Sequence, residues 1–220
     1  MIVTLLRHGN TDANNEGWIQ GHLDTDLNAC GLEQAALAGK RLANTVFEAA
    51  FCSDLRRCQQ TAQAVLAHHP NTPMQLVKEL RERNFGTLAG KSIKELYKSG
   101  VNRDMNTYLK EHGGETEAEF EHRVIDGFQQ VIVEAEKAGY QDILIVTHGG
   151  PLRCLTSWWL QEAGYQSSDG SVIKQTNHGN TAISQIRLQH SSDNQRQGTI
   201  LLYNSTAHLK DPTSVAPPSV

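Results

Sequence analysis

Residues 143–151 read Ile-Leu-Ile-Val-Thr-His-Gly-Gly-Pro. A short run of four branched apolar residues predicts a strand buried on both faces. Thr147, His148 and two glycines stop it, and Pro151 suits the first turn of a following helix. The same order opens the chain, where apolar residues 2–6 run into Arg7-His8-Gly9. In open α/β sheets, sites form outside the carboxyl ends of strands. Two buried strands that each end in a His-Gly pair therefore mark His8 and His148 as candidates for chemistry.

Working outward from these strands, apolar residues at helical spacing (Leu32, Ala35, Ala36, Leu42) predict a helix over 28–43. Residues 49–52 read as a strand, and 55–66 as a helix capped by Ser53 or Asp54. Thr116 and Glu119 have capping-box spacing ahead of a long helix to about Lys137. Residues 181–188 and 199–203 alternate apolar and polar side chains, as strands do. Strands alternating with helices predict an α/β fold with helices on both faces of the sheet. Residues 1–209 are expected to form one domain. Residues 210–220 hold three of the six prolines and are expected to form a loose tail.

The chain has 220 residues, 38% hydrophobic and 20% charged, with a net charge of -4. That is ordinary globular composition, and no Lys/Arg run offers a nucleic-acid footprint. The four cysteines (Cys30, Cys52, Cys58, Cys154) show neither C-x-x-C nor a disulfide ladder. The apolar start is too short for a signal-peptide core or a membrane span. These readings lead to the expectation of a cytoplasmic protein bound to neither nucleic acid nor membrane; a homodimer is left open.

Four segments carry candidate chemistry. Arg7 offers a planar, permanently charged donor fork suited to phosphate, and His8 a neutral nitrogen nucleophile near pH 7. At the second strand end, the free N–H groups of a helix start favour an anion, and His148 could donate to phosphate oxygens. In Ser53-Asp-Leu-Arg-Arg-Cys-Gln-Gln-Thr-Ala62, either Arg56 or Arg57 could turn inward. In Leu80-Arg-Glu-Arg-Asn-Phe-Gly86, Glu82 sits among cations and could protonate a departing oxygen. No HExxH, carboxylate cluster or Cys/His ligand spacing occurs, so neither metal nor cofactor is expected.

Taken in order, Arg7-His8-Gly9-Asn-Thr…Asn14, Gln20-Gly21…Leu27, Ser53-Asp-Leu-x-Arg57-x-x-x-Thr-Ala, Leu80…Gly86, Gly113-Gly-Glu-Thr116 and Thr147-His-Gly-Gly150 resemble the histidine phosphatase superfamily, also called phosphoglycerate mutase-like. The resemblance spans nearly the whole chain. It implies a single-domain three-layer α/β/α sandwich with a mostly parallel mixed sheet. It implies that His8 is the phosphorylated nucleophile and that Arg7, Arg57 and His148 bind the transferring phosphoryl. It further implies that Asn14 and the Gly149 N–H contact phosphate, that Glu82 is the proton donor, and that no metal is required. Arg57 rather than Arg56 holds the last position of the family's S-x-L-x-R pattern. Asn10, Asp26 and Ala89 stand where the family often has Glu or Gln, Pro and Glu; none is a catalytic position.

Among branches, the motifs most resemble the TIGAR-type fructose-2,6-bisphosphatases, which implies a phosphatase acting on small phosphorylated metabolites. The rivals are a cofactor-dependent phosphoglycerate mutase, an α-ribazole phosphatase and a silent phosphate- or phosphoprotein-binding module. The last would normally lack His8 or Glu82, and both are present. Gln20, Gly21, Arg83 and Lys91 are candidate substrate contacts. With Lys94 and Arg103, Arg83 and Lys91 could hold a second phosphate and favour bisphosphates.

Overall fold

The computed structural model describes residues 1–100, 104–190 and 196–210. Arg103 and the Pro-rich tail beyond Lys210, singled out above, lie outside the described residues. In chain order the elements are β1 (Ile2–Arg7), α1 (Asp12–Glu16), α2 (Ala29–Leu42), β2 (Ala49–Cys52), α3 (Arg56–Leu66), β3 (Met74–Leu76), α4 (Ile93–Gly100) and α5 (Met105–Glu111). There follow α6 (Glu117–Ala138), β4 (Asp142–Thr147), α7 (Gly149–Gln161), β5 (Gln166–Ser167), β6 (Ile183–His190), β7 (Arg196–Ser205) and α8 (Ala207–Lys210). Single 3₁₀ turns occupy Lys78–Leu80 and Gly86–Leu88.

Among the described residues the strands form one sheet in the order β3-β2-β4-β1-β6-β7-β5. The pairs β3-β2, β2-β4 and β4-β1 are parallel, whereas β6 runs antiparallel to both β1 and β7. Strand alternation divides the core in two, because successive side chains point to opposite faces. Val3, Leu5, Phe51, Ile143 and Ile145 join Phe120, Phe128 and Trp159 of α6 and α7 on one face. Leu6, Ala50, Cys52, Leu144 and Val146 join Leu42 of α2 and Val65 of α3 on the other. The three-layer arrangement and mixed sheet match the expected fold class.

Local chemistry accounts for the element ends. Thr116 and Glu119 form the expected capping box, and α6 ends on left-handed Gly139. The expected cap of α3 is corrected: Leu55 is its N-cap and no side chain caps it. Asp54 is drawn instead into a bidentate pair with Arg81, at 2.6 Å for both bonds, and Ser53 faces His148. Helices α4 and α5 carry the stretch that follows the Glu82 segment. They stack over Ile19 and Leu88 in a small separate core. Among the described residues, no helix is long and apolar enough to cross a membrane.

Candidate active site

Parallel pairing brings three strand ends to one place. Arg7 of β1 is in register with Thr147 of β4, and Cys52 of β2 with Val146. The next residues, His8, His148 and Ser53, therefore emerge side by side. Antiparallel β6 contributes its beginning to the same edge, so the loop before it, residues 174–182, closes over His8.

His8 is 2% exposed. Its Nδ1 lies 2.7 Å from the Gly9 carbonyl oxygen. A carbonyl only accepts, so Nδ1 carries the proton and Nε2 keeps its lone pair. Burial first, then the Arg57 and Arg7 charges, hold the His8 pKa well below the usual imidazole range. The ring is thus a neutral nucleophile of defined tautomer. Its loop is pinned by close backbone approach: a Cβ on Gly9 would lie 2.5 Å from the Gly31 carbonyl oxygen, and one on Gly31 2.0 Å from that of Asn10. Only glycine at both positions lets the loop rest on the first turn of α2.

Arg57, on the first turn of α3, is fully buried, whereas the Arg56 side chain is 56% exposed and pairs with Asp26 at 2.8 Å. This resolves the choice that the residues alone left open. Arg57 donates from Nη1 to the Leu23 carbonyl (2.7 Å), from Nη2 to that of Gly21 (2.9 Å) and from Nε to His148 Nδ1 (3.2 Å). Because a guanidinium only donates, His148 carries its proton on Nε2, which donates to Ser53 Oγ at 2.8 Å. Both His148 nitrogens are thereby engaged within the protein. Its ring stands edge-on to His8, centroids 5.2 Å apart, and does not line the cavity described below. The expectation that His148 donates directly to phosphate is not met in this geometry; it buttresses Arg57. Arg7 donates from Nη1 to the His178 carbonyl at 2.5 Å, and its buried Nε has no partner among the described residues. Burial lowers the pKa of both arginines, yet the pair starts so high that each stays charged.

Glu82 reaches the same floor from the far side. Its Oε2 accepts from the Gly150 N–H at 3.0 Å and its Oε1 from the Arg83 N–H at 2.9 Å. A Cβ on Gly150 would lie 1.9 Å from Oε1, so the carboxylate occupies space that any other residue would fill. Gly149, expected to turn its amide to phosphate, opens α7, and a Cβ there would lie 3.3 Å from Arg7 Nε. Asn14 spends its carbonyl oxygen on the Thr11 N–H, the Thr11 hydroxyl and Asn180 Nδ2. That leaves its amide N–H groups for the cavity it lines.

A cavity of about 400 Å³ opens above this floor. Arg7, His8, Asn14, Arg57, Glu82 and Gly150 line its base, with Gln20 and Gly21 beside them. Arg83 also borders it, but its guanidinium is clasped by Glu117, the Glu115 carbonyl and Asn106. Lys91 is corrected: it lines a separate hollow with Ile19, Glu95 and Tyr108. Lys94 does not line the cavity either. Of the described lining side chains, Arg7, Arg57, Arg83 and Arg153 are cationic and Glu82 brings the one carboxyl group. The field therefore favours an anion despite the negative net charge.

Sequence reading missed Arg153, Asn177, His178 and Asn180. Asn180 donates to the His8 carbonyl at 3.2 Å, and His178 is buried with neither ring nitrogen partnered among the described residues. One signal was present: His178-Gly179 is a third His-Gly pair beside a strand, here at its beginning. Among the described residues no three His, Cys, Asp or Glu side chains cluster where a metal ion could be held.

Comparison with known proteins gives the family of the chain. Residues 3–199 match the family model of the histidine phosphatase superfamily, branch 1. A broad-specificity phosphatase of Saccharomyces cerevisiae is 30% identical over 218 residues, covering 94% of this chain and 86% of its own. Fructose-2,6-bisphosphatase TIGAR of Mus musculus is 42% identical over 98 residues, covering 43% of this chain and 36% of its own. The crystal structure of a phosphoglycerate mutase from Bacillus anthracis shares the fold, with a TM-score of 0.76 at 23% identity and 97% coverage of both chains.

Proposed function

This chain belongs to the histidine phosphatase superfamily, and from that premise we propose that it hydrolyses phosphomonoesters of small metabolites through a phosphohistidine on His8 Nε2. The observation that carries the proposal is the His8 ring at the cavity floor: Nδ1–H is committed to the Gly9 carbonyl, and Arg7 and Arg57 flank the ring as cations.

Two in-line displacements follow. The Nε2 lone pair attacks phosphorus as the P–O bond to the alcohol breaks, and Glu82 gives its proton to the departing oxygen. Positive charge gained by the imidazole is stabilised by the hydrogen bond from Nδ1 to Gly9. Water then attacks the phosphohistidine, its proton passes to the Glu82 carboxylate, and the P–N electron pair returns to Nε2. Glu82 ends protonated and the cycle closes. Arg7, Arg57 and the Asn14 amide group face the equatorial oxygens, where electrostatic stabilisation is the largest contribution. His148 acts through Arg57, as a positioning residue.

Metal independence is part of the proposal, since two buried guanidinium groups supply the positive charge. A reducing, cytoplasmic setting is supported by four unpaired cysteines, three of them buried.

The deciding experiment is phosphoenzyme trapping. Acid-labile ³²P should appear on the wild type within one turnover and be absent from folded His8→Ala. Equal labelling of both would remove His8 as the nucleophile.

A further inference from the structure

We propose that the cavity selects phosphomonoesters whose alcohol carries an apolar body, aryl or branched alkyl, over esters of polyols and over bisphosphates. The inference rests on the phosphatase reading of the same site and adds the substrate class to it.

The cavity has two zones. Its base holds the phosphoryl-binding groups already described. Above them stand Trp18, Phe85, Ile93 and Met105, with Leu96 and Leu109 behind. Leu96 and Leu109 are buried in the small core that α4 and α5 share with Ile19 and Leu88. The first four are not: Trp18, Phe85 and Met105 are half-buried, and Ile93 keeps 41% of its surface exposed. Apolar surface gathered on a concave wall loses its water only when a ligand covers it, and that removal favours an apolar ligand. Against these four side chains a polyol would surrender hydration of its hydroxyls with little to replace it, the Trp18 indole N–H being bound to Glu16.

The cations that could reward a second phosphate are already drawn elsewhere. Arg83 is held by Glu117, Asn106 and the Glu115 carbonyl. The other cation on the outer wall, Arg153, faces the same Glu117 at 3.6 Å. Lys91 lies in the neighbouring hollow. Binding a second phosphate there would bring it beside Glu117, like charge against like charge. Binding an aryl or alkyl body leaves that arrangement intact.

The test must separate pocket preference from leaving-group chemistry, because aryl esters depart easily anywhere. It therefore compares alkyl esters of similar alkoxide basicity: 2-phenylethyl phosphate, glycerol 3-phosphate and fructose 1,6-bisphosphate. We expect kcat/KM for 2-phenylethyl phosphate to exceed both others by at least fivefold. In Ile93→Asn and Met105→Gln, which make the wall polar without adding charge, that ratio should fall by at least fivefold. A smaller ratio in the wild type, or an unchanged ratio in both variants, overturns the inference. A parallel measurement needs no turnover: calorimetric affinity for 2-phenylethylphosphonate against 2-hydroxyethylphosphonate. If no ester is hydrolysed, the phosphatase reading fails while these affinities still decide the pocket. Fivefold tighter binding of the phenyl compound supports it, and any smaller preference overturns it. If all three esters turn over without preference, the phosphatase reading stands and the apolar substrate class falls.

Discussion

Gly150→Ala tests whether the position of Glu82, rather than its mere presence, drives leaving-group departure. The added methyl group would sit 1.9 Å from Oε1 and 3.2 Å from Oε2 of Glu82. Non-bonded Cβ contacts under 3.0 Å do not occur, so the nearer oxygen must retreat by about 1 Å, and displacement of that size costs roughly 10²-fold in rate. That is about 2.7 kcal/mol of transition-state stabilisation, within the roughly 10²–10⁴-fold range of general acid catalysis. Folding should be little affected. Alanine is favoured over glycine in a helix by up to about 1 kcal/mol, which offsets a comparable loss of the Gly150–Glu82 hydrogen bond. The melting temperature should then stay within about 4 °C of wild type. The assay is kcat/KM over esters of graded leaving-group acidity. Alkyl phosphates should lose about 10²-fold, whereas p-nitrophenyl phosphate, whose phenolate leaves unaided, should lose under about fivefold. Glu82→Asp in the Gly150→Ala background shortens the side chain by one methylene and should recover part of the loss. Full activity on alkyl esters, or an equal fall for both ester classes, would refute the reasoning.

Exhaustive EDTA treatment should leave phosphatase activity intact; loss that zinc or magnesium restores would overturn the metal-free mechanism. Arg57→Lys should lower kcat/KM by roughly 10²-fold or more and reduce the melting temperature, because one ammonium cannot serve Gly21, Leu23 and His148 and still aim an N–H at phosphate; wild-type kinetics would show that a point charge suffices there. His178→Phe should flatten the acid side of the stability profile. Burial, with a smaller contribution from Arg7, pushes the His178 pKa from 6.5 to about 4. The unfolded chain then binds the extra proton between those values, so wild-type stability declines as pH falls from 6.5 towards 4. The penalty is on the order of 3 kcal/mol. Denaturant midpoints at pH 7 and pH 4.5 measure it, and identical pH slopes for both proteins would contradict this account.

What could be read from the chain itself is what local physics encodes. Apolar runs of four to six residues ending in His-Gly mark buried strands, because alternation and turn chemistry act over neighbouring residues. The Thr116–Glu119 capping box is likewise complete within four residues and starts α6 as expected. Ordered motifs placed His8, Arg57 and Glu82 together as a resemblance before any distance was known. Tertiary packing decided the remainder. Arg56 and Arg57 are chemically identical neighbours; the resemblance pointed to Arg57, but the physical reason is the rotation of α3 against β2 and β4, which buries one and exposes the other. His148 looked like a phosphate donor until Arg57 and Ser53 claimed both of its nitrogens. Lys91 was near the site in sequence but faces another hollow, whereas Arg153 and Asn180, far along the chain, reach the cavity edge and the nucleophile's backbone. Antiparallel β6 explains the last of these: it delivers its beginning, not its end, to the edge where the parallel strands finish. A local pattern specifies that a strand exists and where it stops; the direction in which it pairs is set by contacts more than 150 residues apart, and that direction determines which residues meet the substrate.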